Sequence, residues 1–177
     1  DSRLKTEGAI FVALKGENHD AHDFAAQAAA NGAACLIVDR EIEEVAKEVC
    51  QIKVKDTLCA LGDMAAYRRR KLKSAFKQKV IGLTGSCGKT TVKEMIAAIL
   101  KRKFPAGEHY PENAVHSTKG NFNNLIGLPL TVLPLGVQQK IAVLEMGMNV
   151  PGEIERLAEI ADPDICLITN IHGAHLQ

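Results

Sequence analysis

No stretch of this chain is apolar for the roughly 18 consecutive residues that a membrane helix needs, and nothing at its start reads as a signal peptide. Charge of one sign is also missing. With 22 basic and 21 acidic residues the formal net charge is +1, so no overall field draws the chain to nucleic acid or to a membrane. The five cysteines, Cys35, Cys50, Cys59, Cys87 and Cys166, are odd in number and never spaced C-x-x-C. That pattern argues against both a disulfide framework and a thiolate zinc site. There is no internal repeat, no low-complexity segment and no initiating methionine. These absences point to a soluble cytoplasmic protein, expected to be a monomer, with no nucleic-acid partner and no membrane span. The 177 residues, 46% of them hydrophobic, can bury a core and suffice for one full domain or a small domain plus part of another.

The informative residues are concentrated in Gly82-Leu-Thr-Gly-Ser-Cys-Gly-Lys-Thr-Thr91. An apolar run, Lys79 to Thr84, predicts a strand that enters a glycine loop. Val92, Met95, Ile96, Ile99 and Leu100 follow at the spacing of one buried helical stripe. Strand, loop and helix in that order can turn backbone N–H groups inward at a helix N-terminus, the arrangement that holds a polyphosphate. Lys89 adds a point charge at the outer phosphates and Thr90 offers a hydroxyl to Mg²⁺, so the segment implies binding of a nucleoside triphosphate. Gly85, Ser86, Cys87, Gly88, Lys89, Thr90 and Thr91 are the expected contacts. Leu83 stands where the commoner phosphate-loop pattern has a glycine. Cys87, two residues from Lys89 and beside the helix start, is expected to be the most reactive thiol. The other four cysteines fall in apolar runs and are expected to act as small hydrophobes.

Residues 1–77 read as a first unit. Ala9 to Leu14 and Ala33 to Val38 are strand-like, and Asp20 to Ala30 is an alanine-rich helix stopped by Asn31-Gly32. Ile52 to Val54 adds a further strand, and Thr57 to Phe76 a helix expected to be capped by Thr57. The basic run Tyr67-Arg-Arg-Arg-Lys71 reads as a solvated helix end. Residues 78–177 read as a second unit of order β, α, β, α, β, a parallel doubly wound sheet. In it Lys140 to Gly147 predicts a buried strand that delivers Glu145 to the ligand-binding edge, where a carboxylate completes the Mg²⁺ site begun by Thr90. Asn121, Asn123 and Asn124 precede Gly127-Leu-Pro129 in what reads as a loop. His172 and His175 are three apart with no third ligand at a telling spacing.

The form T-G-x-x-G-K-T-T resembles the Mur ligase and folylpolyglutamate synthetase superfamily. The resemblance extends through Asp1-Ser-Arg3, Gly8 to Gly16, His22-Asp-Phe24, Val92 to Met95, Lys119 to Pro129, Glu145-Met-Gly147, Gly152-Glu-Ile154, Ile168 to Ile171 and Ala174-His-Leu176, in family order along nearly the whole chain. It implies a small α/β uridine-binding domain, residues 1–77, followed by part of a P-loop-type parallel-sheet ATPase domain, residues 78–177. On that resemblance the chain is expected to be a fragment, inactive alone, of an ATP-dependent amide ligase of peptidoglycan synthesis. It is similar to the family branch that joins D-alanyl-D-alanine to UDP-N-acetylmuramoyl-tripeptide through an acyl phosphate. The resemblance implies Lys89, Glu145 and His175 as catalytic residues and Thr90, Glu145 and His175 as Mg²⁺ ligands. It sets Asn123 and Asn124 against the sugar-phosphate of the uridine substrate, and Ser2, Arg3, His22 and Asp23 in the uridine pocket. Ala21 replaces the glycine usual before that histidine. The alternatives are a noncatalytic nucleotide-binding module, or another Mur ligase or folylpolyglutamate synthetase.

Overall fold

The computed structural model describes residue 3 and residues 7–16, 18–107 and 109–172. The chain divides into two compact units, Asp1–Leu61 and Gly62–Gln177. The division falls inside a helix, ahead of the 77/78 boundary that the sequence suggests.

The first unit holds three short parallel strands in the order β1 (Ile10–Val12), β2 (Cys35–Val38) and β3 (Cys50–Lys53). Between the first two runs a 3₁₀ turn, Ala21–Phe24, that continues into α1 (Ala25–Ala30). The helix predicted over Asp20 to Ala30 is therefore split in type. Its alanines let it lie close on the sheet: Ala25 and Ala28 join Ala13, Leu36 and Val38 in one buried cluster. Gly32, at φ +98°, makes the left-handed turn that ends the helix.

Asp20 caps that turn by accepting from the backbone N–H of His22 at 3.0 Å. This bond, then one from the His22 imidazole, holds the Asp20 carboxyl far below the usual carboxylate range. A depressed folded-state pKa contributes stability that is present above the unfolded value, near ~3.9, and lost as pH falls toward the folded one. Asp20→Asn is thus expected to lower the melting temperature at neutral pH, and the gap to the parent should close below about pH 4. Thermal melts across that range check it; a gap independent of pH would contradict the ionised cap.

The long helix α2 (Thr57–Phe76) has the predicted bounds but a different cap. Asp56 accepts from the Cys59 N–H at 2.8 Å, while the Thr57 hydroxyl donates to the Ala13 carbonyl at 2.8 Å. Its basic run is solvated at Tyr67, Arg68, Arg70 and Lys71, as expected, but not at Arg69. Arg69 is fully buried and its guanidinium donates to the carbonyls of Ala161, Gln78 and Asp162 and to the Asp164 carboxylate. A planar cation with several donors can be buried when each finds an acceptor, and chain ends of helices and strands supply free carbonyls. Arg68 likewise donates to Leu135 O, at 2.9 and 2.7 Å.

The second unit is a four-stranded, wholly parallel sheet in the order β5 (Val115–Ser117), β6 (Ile141–Glu145), β4 (Lys79–Thr84) and β7 (Ile165–Ile168). Crossovers are supplied by α3 (Lys89–Lys103), α4 (Gly127–Val132) and α5 (Glu153–Ala161). On one face Val80, Ala142 and Leu144 pack with Ala65 and Leu72 of α2, Leu128 and Val132 of α4, and Leu157 and Ile160 of α5. Alternation along the strands turns Leu83 and Val143 to the other face, and α3 lies on β5 and β6. The α/β expectation holds, with β5 and α4 as elements the sequence reading passed over. The predicted stripe of α3 is corrected: Lys93 and Ala97 are buried, while Met95 and Ile99 are exposed. The cysteines also differ from expectation. Only Cys35 is half-buried; Cys50, Cys59, Cys87 and Cys166 are all exposed. Cys50 and Cys166 lie on β3 and β7, which are edge strands among the described residues. Among the described residues no helix is long and apolar enough to cross a membrane.

Candidate nucleotide-binding site

Strand β4 occupies an inner position, paired on one side with β6 and on the other with β7. Its C-terminal end opens into residues 85–88, and the two neighbours deliver side chains to either flank of that loop. Gly88, at φ +79°, sits at the N-cap of α3, where a left-handed backbone favours glycine. Gly85, at φ +141°, is required twice over, since a Cβ there would lie 2.1 Å from Thr169 Oγ1.

The backbone N–H groups of residues 86–91 fall into two sets. Ser86 N–H donates to Asn170 O at 3.2 Å and Cys87 N–H donates to Asn170 Oδ1 at 3.0 Å. The N–H groups of Gly88, Lys89, Thr90 and Thr91 have no acceptor among the described residues, as expected of a first helical turn. Those four, with the positive end of a helix running Lys89–Lys103, could hold an anion. Lys89 Nζ donates to Gly85 O at 2.6 Å, folded back across the loop. Beside the loop the cleft is walled by Met148, Ile154, Ile168 and Ile171, apolar side chains facing the polar ones.

Glu145 is the last residue of β6 and is 2% exposed. Thr90 Oγ1 donates to its carboxylate, at 3.1 Å to Oε2 and 3.3 Å to Oε1. Asn123 Nδ2 donates to Oε1 at 2.9 Å, and Lys93 Nζ lies 4.0 Å from Oε2. Lys93, 1% exposed, donates to Thr118 O at 2.6 Å, and Thr118 Oγ1 in turn accepts the Glu145 N–H at 2.9 Å. The buried carboxylate is therefore held by Thr90 at the start of α3 and by Asn123 from the loop after β5, with a cation close by, the compensation its charge requires. Two hard oxygens, the Thr90 hydroxyl and the Glu145 carboxylate, suit Mg²⁺. No group of three or more His, Cys, Asp and Glu gathers among the described residues.

The remaining sequence-derived site residues are dispersed. Asn123 faces Glu145, whereas Asn124 Oδ1 accepts from Ile126 N–H and Gly127 N–H at 3.1 and 2.8 Å and so caps α4. In the first unit Arg3 is exposed and Asp23 is exposed. His22 is 3% exposed, bonded through Nδ1 to Asp20 and through Nε2 to the Asp39 N–H at 3.1 Å. Arg40 bridges Asp20 and Asp39 at 3.1 and 3.2 Å. Ser2 and His175 lie outside the described residues. Sequence reasoning assigned no part to Lys93, Thr118, Thr169 or Asn170. Lys93 offered the faint signal of a lysine at the position a buried stripe leaves between Val92 and Ile96.

A parallel sheet whose inner strand runs through a glycine loop into a helix N-terminus, with a carboxylate arriving from the next strand, defines a P-loop fold of the nucleotide-binding class. Residues 83–177 match the Mur ligase middle domain and residues 1–69 match the Mur ligase family, catalytic domain. The chain belongs to the Mur ligase family. Over its whole length it is 45% identical to the UDP-N-acetylmuramoyl-tripeptide–D-alanyl-D-alanine ligase of Bacillus subtilis and 44% identical to that of Escherichia coli, covering 36% of each. Among solved structures, MurF from Acinetobacter baumannii matches 99% of the chain at 44% identity with a TM-score of 0.86, over 36% of its own length. MurF ligase from Thermotoga maritima in complex with ADP matches at 36% identity with a TM-score of 0.84, over 100% of this chain and 38% of its own. The chain thus spans about a third of the length of the relatives it matches.

Proposed function

We propose that the protein carrying this chain is an ATP-dependent amide ligase that joins D-alanyl-D-alanine to UDP-N-acetylmuramoyl-tripeptide in peptidoglycan synthesis. The observation that carries this reading is the meeting of the Thr90 hydroxyl with the Glu145 carboxylate at the start of a helix whose first N–H groups are unengaged. The names of the relatives support the choice of substrates, and the ADP complex of a relative supports the nucleotide.

In this reading the γ-phosphate of ATP passes to the terminal carboxylate of the tripeptide, and the dipeptide amine displaces phosphate from the resulting acyl phosphate to form the amide. Phosphoryl transfer asks for positioning and charge neutralisation more than for covalent help. The N–H groups of Gly88–Thr91 hold the phosphates, and the Lys89 ammonium leaves Gly85 O to meet the outer ones. Thr90 and Glu145 hold Mg²⁺, which when bound neutralises phosphate charge. Asn123 and the Lys93–Thr118 pair keep Glu145 aimed. His175 is the second proposed Mg²⁺ ligand, and Ser2, Arg3, His22 and Asp23 the uridine contacts. The protein is proposed to act in the cytoplasm as a monomer.

The test is ligation by the full-length protein in the presence of ATP and Mg²⁺. Phosphate release and the UDP-linked pentapeptide should appear in equal amounts, and only when both the tripeptide and the dipeptide are present. Nucleotide binding without any amide product would favour a noncatalytic module instead.

A further inference from the structure

Strand β7 leads into Thr169–His172, and this short segment bonds the phosphate loop through Thr169 Oγ1, Asn170 O, Oδ1 and Nδ2, and His172 N and O. Asn170 Oδ1 accepts the Cys87 N–H at 3.0 Å while Asn170 Nδ2 donates to Cys87 O at 3.1 Å. One side-chain amide therefore pairs with both backbone groups of a single loop residue. Thr169 Oγ1 donates to the same Cys87 carbonyl at 2.7 Å, and Asn170 O accepts the Ser86 N–H at 3.2 Å. The Ser86 hydroxyl donates to His172 O and accepts the His172 N–H, both at 2.9 Å. Gly85 lies so close to Thr169 that no Cβ would fit between them.

This pattern decides which loop groups meet an anion. The N–H groups of Ser86 and Cys87 are satisfied away from it, and so is the Cys87 carbonyl, whose negative end would otherwise be free to turn toward a phosphate. The N–H groups of Gly88–Thr91 stay open. We propose that Asn170, assisted by Thr169, is a positioning residue for phosphate binding: it clamps the Cys87 peptide groups so that the loop is pre-shaped for a nucleoside di- or triphosphate before one arrives. Fixing the loop in advance removes an ordering cost from binding. Because both ends of the clamp are short-range and directional, the Asn170 amide has no isosteric substitute: a carboxylate keeps the acceptor for Cys87 N–H but loses the donor to Cys87 O.

The inference rests on reading the loop as a nucleotide site, and the experiment separates the two. Binding of ADP with Mg²⁺ is measured by calorimetry on the full-length protein, its Asn170→Ala and Asn170→Asp variants, and Thr169→Val. In the same proteins the rate at which a thiol reagent modifies Cys87 is followed by peptide mapping without nucleotide. Cys87 Sγ lies 3.1 Å from Asn170 Nδ2 and reports the clamp directly. Asn170→Ala is expected to weaken ADP about tenfold and Thr169→Val roughly threefold, the scale of a few lost hydrogen bonds. Both should speed modification of Cys87, and Asn170→Asp should bind at least as weakly as Asn170→Ala. ADP affinity within about twofold of the parent in a folded Asn170→Ala or Thr169→Val would overturn the clamp, even if melting temperatures fall, because a merely structural strut leaves binding unchanged. Failure of the parent to bind ADP would overturn the nucleotide reading itself, and the clamp with it.

Discussion

Lys89→Ala in the full-length protein is expected to reduce ATP-dependent ligation by ~10³-fold or more. The ammonium reaches back to Gly85 O at 2.6 Å, so it already hangs over the loop that would receive the phosphates. During transfer the charge spreads over the departing phosphoryl oxygens, and a cation there stabilises the transition state more than the bound ground state. The fold should be indifferent, because the side chain takes no part in either buried cluster. Lys89→Arg should restore little, since a guanidinium fork cannot occupy the space of a compact ammonium. Steady-state phosphate release, with a melting curve beside it, checks the point. Near-normal turnover in Lys89→Ala would remove this loop from the chemistry.

Glu145→Gln should act on the cation rather than on the nucleotide. The substitution keeps shape and leaves the N–H groups of Gly88–Thr91 untouched, but it removes the anionic oxygens that Thr90 and Asn123 now address at 3.1 and 2.9 Å. It also leaves the buried Lys93 ammonium beside a neutral amide, with Glu94 at 2.9 Å as its remaining counter-charge. Half-saturation by Mg²⁺ is expected to rise at least ~10-fold, while metal-free ADP binding moves by less than about threefold. Titration of ligase activity with Mg²⁺, beside calorimetry with ADP and chelator, separates the two. Equal losses in both would mean that Glu145 supports the loop rather than holding a metal.

Much of the site could be read from the chain because its parts are local. Strand β4, the loop and the start of α3 follow one another within residues 79–91, and Glu145 ends a buried run, which in a parallel sheet places it at the ligand edge. What escaped reading depends on contacts between distant residues. Periodicity showed that α3 has a face but not which one: Met95 and Ile99 look outward, and Lys93 is buried because Thr118 O and two carboxylates await its ammonium. Arg69 is inside for the same reason, its acceptors lying at residues 78 and 161–164. Strand β5 is three residues long, too short for alternation to speak, and α4 carries Gly127 and Pro129. Pro129 sits in the first turn, where a missing N–H costs no helical bond. Asn124, expected as a substrate contact, also caps the start of that helix through Oδ1, which local sequence did not reveal. Asn170 stood within the Ile168 to Ile171 resemblance, but its role could not be read, since its partner Cys87 is 83 positions away.

The inner place of β4 carries a consequence for how the chain can change length. Register pairs Leu83 with Glu145 on one side and Thr84 with Ile168 on the other. Deleting one residue within β6 would draw Glu145 along by about 3.3 Å and turn it to the opposite face of the sheet. The apolar Met146 would then stand where Thr90 needs an acceptor. A slip in β7 would carry Thr169 and Asn170 off Cys87 in the same way. Because all four strands are parallel, every one of these ends gathers at a single rim, and the connections that lead into the strands gather at the other. Insertions are therefore expected to be tolerated at that second rim, for example among the exposed residues 111–113 ahead of β5. Length is free to drift on one side of the sheet and is counted residue by residue on the other.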